Sequence, residues 1–284
     1  MENIQKSKEW FLVRRNDPCF CGSGRKYKKC HYQSEIHPES RGAELLKLYN
    51  GVDREVAKYG ERHHVQPPCH RGCSECCYQI FEVSQLEFET IMYEIKRDWS
   101  QEEIEVLFDR AFECLEAVKK ENPNLIDILD RDANEEQDLF IEQVFAARDL
   151  SSQPCPFLDK QTGACRVYEV RPMVCRQFGS SHIREPQHGW IFPDQPLCSK
   201  ISSRKEVEEK TPDVTEHFEQ YRSLKDLKFP GVDKAIPIRE YPIFYWLKIL
   251  YDKNGEKKEA GSLEIDYNVT VSKEEGLKKL LSLM

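Results

Sequence analysis

Leu45, Leu48, Tyr49, Val52, Val56 and Tyr59 recur every three or four residues, which predicts an amphipathic helix of about five turns. Two more helix starts are written as Ser84 with Glu87 and Ser100 with Glu103. Each pair is a capping box, in which the serine oxygen takes an orphan N–H and the glutamate reaches back to the cap. The first helix would bury Phe88, Ile91, Met92 and Ile95, the second Ile104, Leu107, Phe108, Ala111, Leu115 and Val118. A further helix is predicted over 134–149. Beyond the charged stretch SSRKEVEEKTPD, read as a linker, Leu263, Ile265, Tyr267, Val269 and Val271 alternate with polar residues, the period of a strand. YPIFYWLKILY runs into Asp252-Lys253-Asn254-Gly255, which suits either a hairpin or a helix headed by Pro242. Ser272 with Glu275 caps a last helix carrying Leu277, Leu280, Leu281 and Met284.

Composition adds a second layer. The chain has 284 residues, enough to bury a core without staples, yet 12 of them are cysteine. That share is about 4 %, below the roughly 8–10 % of a disulfide scaffold. The first residues, MENIQKSKEWFLVRRNDP, lack the apolar run of a secretory leader, and no stretch reaches the ~18 apolar residues of a membrane span. A cytoplasmic location is the expectation. In that reducing compartment, clustered cysteines point to metal ligands or redox groups before disulfides. The net charge is −8, but residues 1–41 hold nine Lys/Arg against five Asp/Glu, so the remainder carries −12. Fourteen Asp/Glu face four Lys/Arg in 101–142, a solvated helical surface. Such an acidic body disfavours sequence-independent or specific DNA binding, while the basic head suits an acidic partner.

Residues 17–32 read DPCFCGSGRKYKKCHY. Cys19, Cys21, Cys30 and His31 supply three thiolates and an imidazole, a closed tetrahedral zinc shell. Gly22 and Gly24 allow the tight turn after the Cys-x-Cys pair, and Pro18 fixes how the chain enters it. Pro18, Cys19, Cys21, Gly22, Ser23, Gly24, Lys26, Tyr27, Lys28, Cys30 and His31 closely resemble the SEC-C motif, the zinc-binding tail of the SecA translocase. That resemblance implies a docking element, since in SecA it meets a chaperone and the ribosome. Arg25, Lys26, Lys28 and Lys29 would form its positive face toward acidic protein or ribosomal RNA. A structural zinc button with solubilising lysines is the alternative.

Eight further cysteines form the core pattern: Cys69, Cys73, Cys76 and Cys77 in PPCHRGCSECCYQIF, then Cys155, Cys165, Cys175 and Cys198. The Cys76-Cys77 doublet, Cys-Pro-Phe-Leu at 155–158, Cys-x-Val-Tyr at 165–168 and Arg171-Pro172 before Cys175-Arg176 resemble the YkgJ-type cysteine-cluster family of zinc- or iron-chelating bacterial and archaeal proteins. The likeness covers roughly 65–200. It departs at the start, with three residues between Cys69 and Cys73 where that family has two. Two ligand groups about 80 residues apart would let the metal tie the ends of a helical insert, so binding energy becomes folding energy. Thiolates bring negative charge, and Arg71, Arg166, Arg171 and Arg176 lie close in sequence. Arg171 and Arg176 are the favoured outer donors of N–H···S bonds.

Spacing leaves the metal open: zinc leads, with iron or an iron–sulfur cluster as the alternative. Redox chemistry at the doublet is a minor reading. Cys114 reads as a small buried hydrophobe, and His63, His64, His70, His182 and His188 as polar loop residues. The expected architecture is α-rich α+β: a zinc knuckle at 14–33, a connecting helix at 34–64, a metal-stapled helical cysteine-cluster domain at 65–200 and a C-terminal α/β extension at 201–284. The leading function is a metal-binding protein docked through its knuckle on a chaperone or ribosome-associated partner. The alternatives are an iron–sulfur or SAM-dependent protein modifier resembling flagellin lysine N-methylase, and metal storage or delivery. No catalytic residue is assigned.

Overall fold

The computed structural model describes residues 13–130, 152–185, 189–190, 198–225, 240–250 and 268–281. Helix α1 runs Arg41–His63, longer than the expected five turns, because Ser40 caps it from the front by accepting from Ala43 N at 3.0 Å. Strand β1 (Glu82–Ser84) leads into α2 (Gln85–Asp98), followed by α3 (Gln101–Glu121) and α4 (Pro123–Asp130). Both expected capping boxes are formed, at Ser84 with Glu87 and at Ser100 with Glu103. The apolar positions predicted for α2 and α3 are all buried. The helix expected at 134–149 lies outside the described residues.

After the second cysteine group begins, a short helix α5 (Met173–Gln177) carries Cys175, and strands β2 (Arg184–Glu185) and β3 (Gly189–Trp190) pair antiparallel. The stretch expected to be a linker instead contains helix α6 (Arg204–Lys210). Its cause is local: Ser203 caps Glu206 N at 3.2 Å, Glu206 pairs with Lys210 one turn on, and Val207 is buried. Helix α7 (Thr215–Lys225), strand β4 (Glu240–Pro242), helix α8 (Ile243–Leu250) and helix α9 (Lys273–Leu281) complete the chain. YPIFYWLKIL is therefore the last two residues of a strand, Tyr241 and Pro242, running straight into a helix, not a hairpin. Ser272 caps α9 as expected, accepting from Glu275 N at 3.2 Å. Of the expected C-terminal strand, Leu263, Ile265 and Tyr267 fall outside the described residues, while Asn268 to Val271 bend. The bend is held by His37 N and Gly42 N, which donate to Val269 O at 2.8 Å and Asn268 O at 2.9 Å around the start of α1.

Residues 201–284 do not form a separate lobe among the described residues. Strand β4 pairs with β1 in register Glu82↔Pro242, Val83↔Tyr241, Ser84↔Glu240. Helix α7 packs on α1 and α8 on α3. Trp246 stacks on Phe88 with centroids 5.4 Å apart and donates Nε1–H to Val83 O at 2.7 Å. The main hydrophobic core thus runs from Cys19 to Val269, with Cys198, Ile201 and Val207 in a small cluster of their own against Phe178.

A buried polar junction holds this core to the cysteine region. Glu87, 1 % exposed, accepts from Tyr49 OH at 2.9 Å, Tyr221 OH at 2.7 Å and Met173 N at 2.7 Å, besides Ser84 N at 3.1 Å and Ser84 Oγ at 2.9 Å. Helices α1, α2, α5 and α7 therefore meet on one carboxylate.

Candidate metal centres

The knuckle is built by short-range backbone bonds. Cys19 N donates to Arg25 O at 2.8 Å, Gly22 N to Cys19 O at 3.1 Å and Cys30 N to Tyr27 O at 3.0 Å. Gly22 and Gly24 both take φ of 76°, the left-handed turn the sequence called for. The ligand atoms of Cys19, Cys21, Cys30 and His31 all lie within 4.8 Å of one another. Cys21 Sγ is 3.6 Å from Cys30 Sγ, and His31 Nδ1 is 3.1 Å from Cys19 Sγ and 3.2 Å from Cys30 Sγ. Bond lengths of ~2.3 Å to sulfur and ~2.0 Å to nitrogen put the edges of a zinc tetrahedron at roughly 3.5–3.8 Å, so the four donors fit zinc with little movement.

This knuckle is not a free tail. Its Cys19, Cys21 and Tyr27 belong to the main core. Asn50 Nδ2 and Arg54 on α1 donate to Cys21 O and Gly22 O, the first at 3.1 Å. On α2, Glu94 Oε1 sits 3.0 Å from His31 Nε2 and is itself paired with Arg97 at 3.2 Å. Burial opposes protonation of His31, but Cys21, Cys30 and Glu94 outweigh it and its pKa is pushed up to about 11. Cys30 is held far below the ordinary thiol value by its bonds to Cys19 and Cys21, and Cys19 is pushed far up by its bonds to Cys21 and Cys30. A carboxylate behind a ligating imidazole fixes its tautomer and raises its basicity. Glu94→Gln is expected to weaken knuckle zinc binding about 10–100-fold in competition with a chromogenic chelator, and an unchanged affinity would refute that role. Arg25, Lys26, Lys28 and Lys29 are exposed, with no ion-pair partner among the described residues.

Seven of the eight core cysteines come from two segments pressed together, 69–77 and 155–175, and Cys198 comes from a third. Cys76 and Cys77 sit on a single helical turn at Glu75–Tyr78, and Cys155 N donates to Cys77 O at 2.6 Å. Cys155 and Cys165 are brought close by a tight hairpin, in which Asp159 N donates to Ala164 O at 2.9 Å and Leu158 bridges Cys165. At its tip Gly163 has φ 68°, and a Cβ there would strike Gly72 O at 2.9 Å, so only glycine lets the two loops meet. Cys69 N donates to Gly179 O at 3.3 Å, beside Cys198.

Cys69, Cys73, Cys76, Cys77, Cys155, Cys165 and Cys175 line one cavity of about 80 Å³, with apolar walls that include Phe81, Phe157 and Phe244. Cys114 on α3, read from sequence as core filler, is 3 % exposed and lines the same cavity. Its apolar helical spacing concealed that position. Unlike the knuckle, these thiols do not yet converge on a point; metal would draw them into the space between them. Burial and neighbouring thiols push Cys155 and Cys175 well above the ordinary 9.0, and burial first of all puts Cys69 at about 11. Metal-free Cys69, Cys155 and Cys175 are therefore protonated at neutral pH, and a metal bound there must displace those protons. Zinc added to metal-free protein is expected to release protons, and affinity should keep rising beyond pH 9, which titration in an indicator dye measures. A plateau below that pH would contradict it.

Arg171 and Arg176 stand behind the cavity, 7 % and 0 % exposed. Both pair with Asp53 on α1, Arg171 Nη2 at 3.3 Å, and they donate to Tyr168 O and Glu169 O at 2.8 and 2.7 Å. Their guanidinium groups cover the rings of Tyr168 and Tyr49 at 3.9 and 4.5 Å. Each keeps a buried Nε–H that has no hydrogen-bond partner among the described residues. Such orphaned donors fit an anionic thiolate centre. Arg166 and Arg71 are turned elsewhere, to Glu103 at 2.6 Å and to Glu169 at 3.8 Å. His70 is exposed on the cavity rim and His182 is buried against Thr211, while His188 is outside the described residues.

A helical body with one Cys₃His knuckle and a cavity lined by seven of the eight core cysteines defines a metal-chelating protein of the cysteine-cluster class. The chain belongs to the family described as "Putative zinc- or iron-chelating domain", matched over residues 68–222, and carries a SEC-C motif over 15–33. It is 48 % identical over 40 residues to a methionine aminopeptidase of Chlamydia pneumoniae, covering 13 % of this chain and 14 % of that protein. It is also 84 % identical over 19 residues to the protein translocase subunit SecA of Koribacter versatilis, and 83 % over 23 residues to SecA of Myxococcus xanthus, 2 % of each relative. The chain thus spans at most about a seventh of these curated relatives' length. No solved structure matches. No helix among the described residues is long and apolar enough to cross a membrane.

Proposed function

We propose that the protein is a cytoplasmic zinc-binding protein that docks an acidic protein or ribosomal partner through its knuckle. Cys19, Cys21, Cys30 and His31 hold one zinc, and Cys69, Cys73, Cys76, Cys77, Cys155, Cys165, Cys175 and Cys198 supply the core. The observation that carries this reading is the meeting of both cysteine loops around one partly buried cavity backed by two arginines with unspent donors. A closed, buried thiolate site stabilises a fold and leaves no open coordination position for substrate. The exposed Arg25, Lys26, Lys28 and Lys29, and the similarity to SecA in the knuckle, support docking as the purpose of that stability.

The test is oxygen-free purification with zinc and iron counted per chain and the visible spectrum recorded. Zinc alone with no visible band supports the proposal, because zinc is d¹⁰ and colourless. Iron with a broad brown band overturns the metal assignment and favours the iron–sulfur, SAM-dependent modifier. Rapid surrender of the core metal to a mild chelator would favour storage or delivery. Docking is tested by reversing Arg25, Lys26, Lys28 and Lys29 to glutamate and measuring binding to purified ribosomes. Equal binding by both proteins would remove the knuckle face from the proposal.

A further inference from the structure

A groove of about 540 Å³ opens where α1, α7 and the start of α9 meet, and it shares no lining residue with the cysteine cavity. Helical spacing builds its walls. Glu44, Lys47, Gly51 and Arg54 follow one another along one face of α1, and His217, Gln220 and Leu224 do the same on α7. Glycine disfavours a helix interior, but a Cβ at Gly51 would lie 3.1 Å from His217 Nε2, so its absence lets that ring rest on α1.

The groove is cationic on an acidic body. Lys47 and Arg54 are exposed and have no carboxylate partner among the described residues, while Lys273 faces Glu44 at 3.0 Å. Three cations thus stand against one acid, although residues 42–284 carry −12. The groove also reaches the knuckle. Lys47 Cγ and Arg54 Nη1 lie 3.2 and 3.7 Å from the place a Cβ of Gly22 would take, and Arg54 donates to Gly22 O. Arg25 and Lys26 follow that turn, so the two basic surfaces adjoin.

We propose that this groove holds an extended acidic peptide segment of a partner protein, which continues onto the basic face of the knuckle. The proposal rests on the docking reading and narrows its partner to a protein with an acidic segment. From Glu44 to Arg54 the helix rises about 15 Å at 1.5 Å per residue, the reach of about four or five extended residues at ~3.3 Å each. Lys47 and Arg54 stand roughly 10 Å apart along the axis, matching acidic side chains about three residues apart in such a segment. Single-stranded RNA would need rings on which its bases stack, and the lining has no Phe, Tyr or Trp among the described residues. Its buried floor is aliphatic, Leu48 and Leu224.

The experiment follows fluorescence anisotropy of a labelled glutamate-rich peptide, about ten residues long with a central leucine, on the zinc-loaded full chain. The peptide should bind, more weakly as salt is raised, and its glutamine counterpart should not. Lys47→Glu should weaken binding about tenfold by turning attraction into repulsion. Ser223→Trp, which fills the groove without changing its charge, should weaken it as much. Both side chains are exposed, so both variants should fold, and either one that does decides the point. A benzophenone on the peptide should crosslink to α1 or α7. Unchanged binding in the folded variants would overturn the proposal, as would crosslinks confined to the knuckle or tighter binding of an oligouridylate of equal charge. Peptide binding absent from a chain that still binds ribosomes would also overturn it, while leaving the docking reading intact. Failure to bind either peptide or ribosomes would refute both.

Discussion

Stripping the core metal should unfold the whole body cooperatively, not only the cysteine loops. The loops at 69–77 and 155–175 meet through glycine contacts and thiols, and between them lie α2, α3 and α4. Structural zinc sites contribute apparent binding energies of about 10–16 kcal/mol, comparable to or above the ~5–15 kcal/mol net stability of an ordinary domain. Protonated thiols left around a cavity cannot replace that link. A strong chelator at neutral pH is therefore expected to abolish the thermal transition seen by circular dichroism, or lower it by tens of degrees. Re-adding zinc should restore it. A melting curve unchanged after proven metal loss would show that α1, α2 and the apolar core stand alone and that the metal does not staple them.

Replacing Glu87 with alanine should be the most damaging change outside the cysteines. Its carboxylate collects Tyr49 OH, Tyr221 OH and Met173 N, with Ser84 N and Oγ, in a site sealed from water. Alanine would leave several buried donors without an acceptor, each costing about 1–3 kcal/mol. The expected loss is about 3–5 kcal/mol of stability, in line with breaking other buried polar networks. The damage should also reach the metal: Met173 N is the first amide of the helix that carries Cys175 and Arg176. Denaturant unfolding of the zinc-loaded chain and zinc competition should fall together, with Glu87→Gln intermediate. Lost stability with unchanged zinc affinity would detach Glu87 from the cysteine core.

What the sequence disclosed follows the range of each interaction. The boxes at Ser84 and Ser100 and the cap at Ser272 close within three residues, so spacing alone reveals them. The knuckle was equally legible, since all four donors fall between Cys19 and His31. Glu87 was recognised for its cap but not for its other partners, which come from α1, α5 and α7 and leave no trace in a local pattern. Asp53 gave no signal either, being one acid among many on a helix, yet it gathers Arg171 and Arg176. The pairing of β1 with β4 joins strands of three residues each, too short for periodicity and far apart in the chain. Cys114 looked like core filler because it is one; only tertiary packing sets it on the cavity wall.

Asn50, Asp53 and Arg54 occupy successive positions around one turn of α1, the outer two gripping the knuckle and the middle one the arginines behind the core. The SEC-C motif can travel as an appendage on other proteins, but here it has become masonry. Its cysteines and Tyr27 are laid into the same course as Leu45, Leu46 and Tyr49. A partner at the exposed lysines, as proposed, would therefore meet a knuckle joined through α1 to the same helix turn that holds the arginines behind the cysteines.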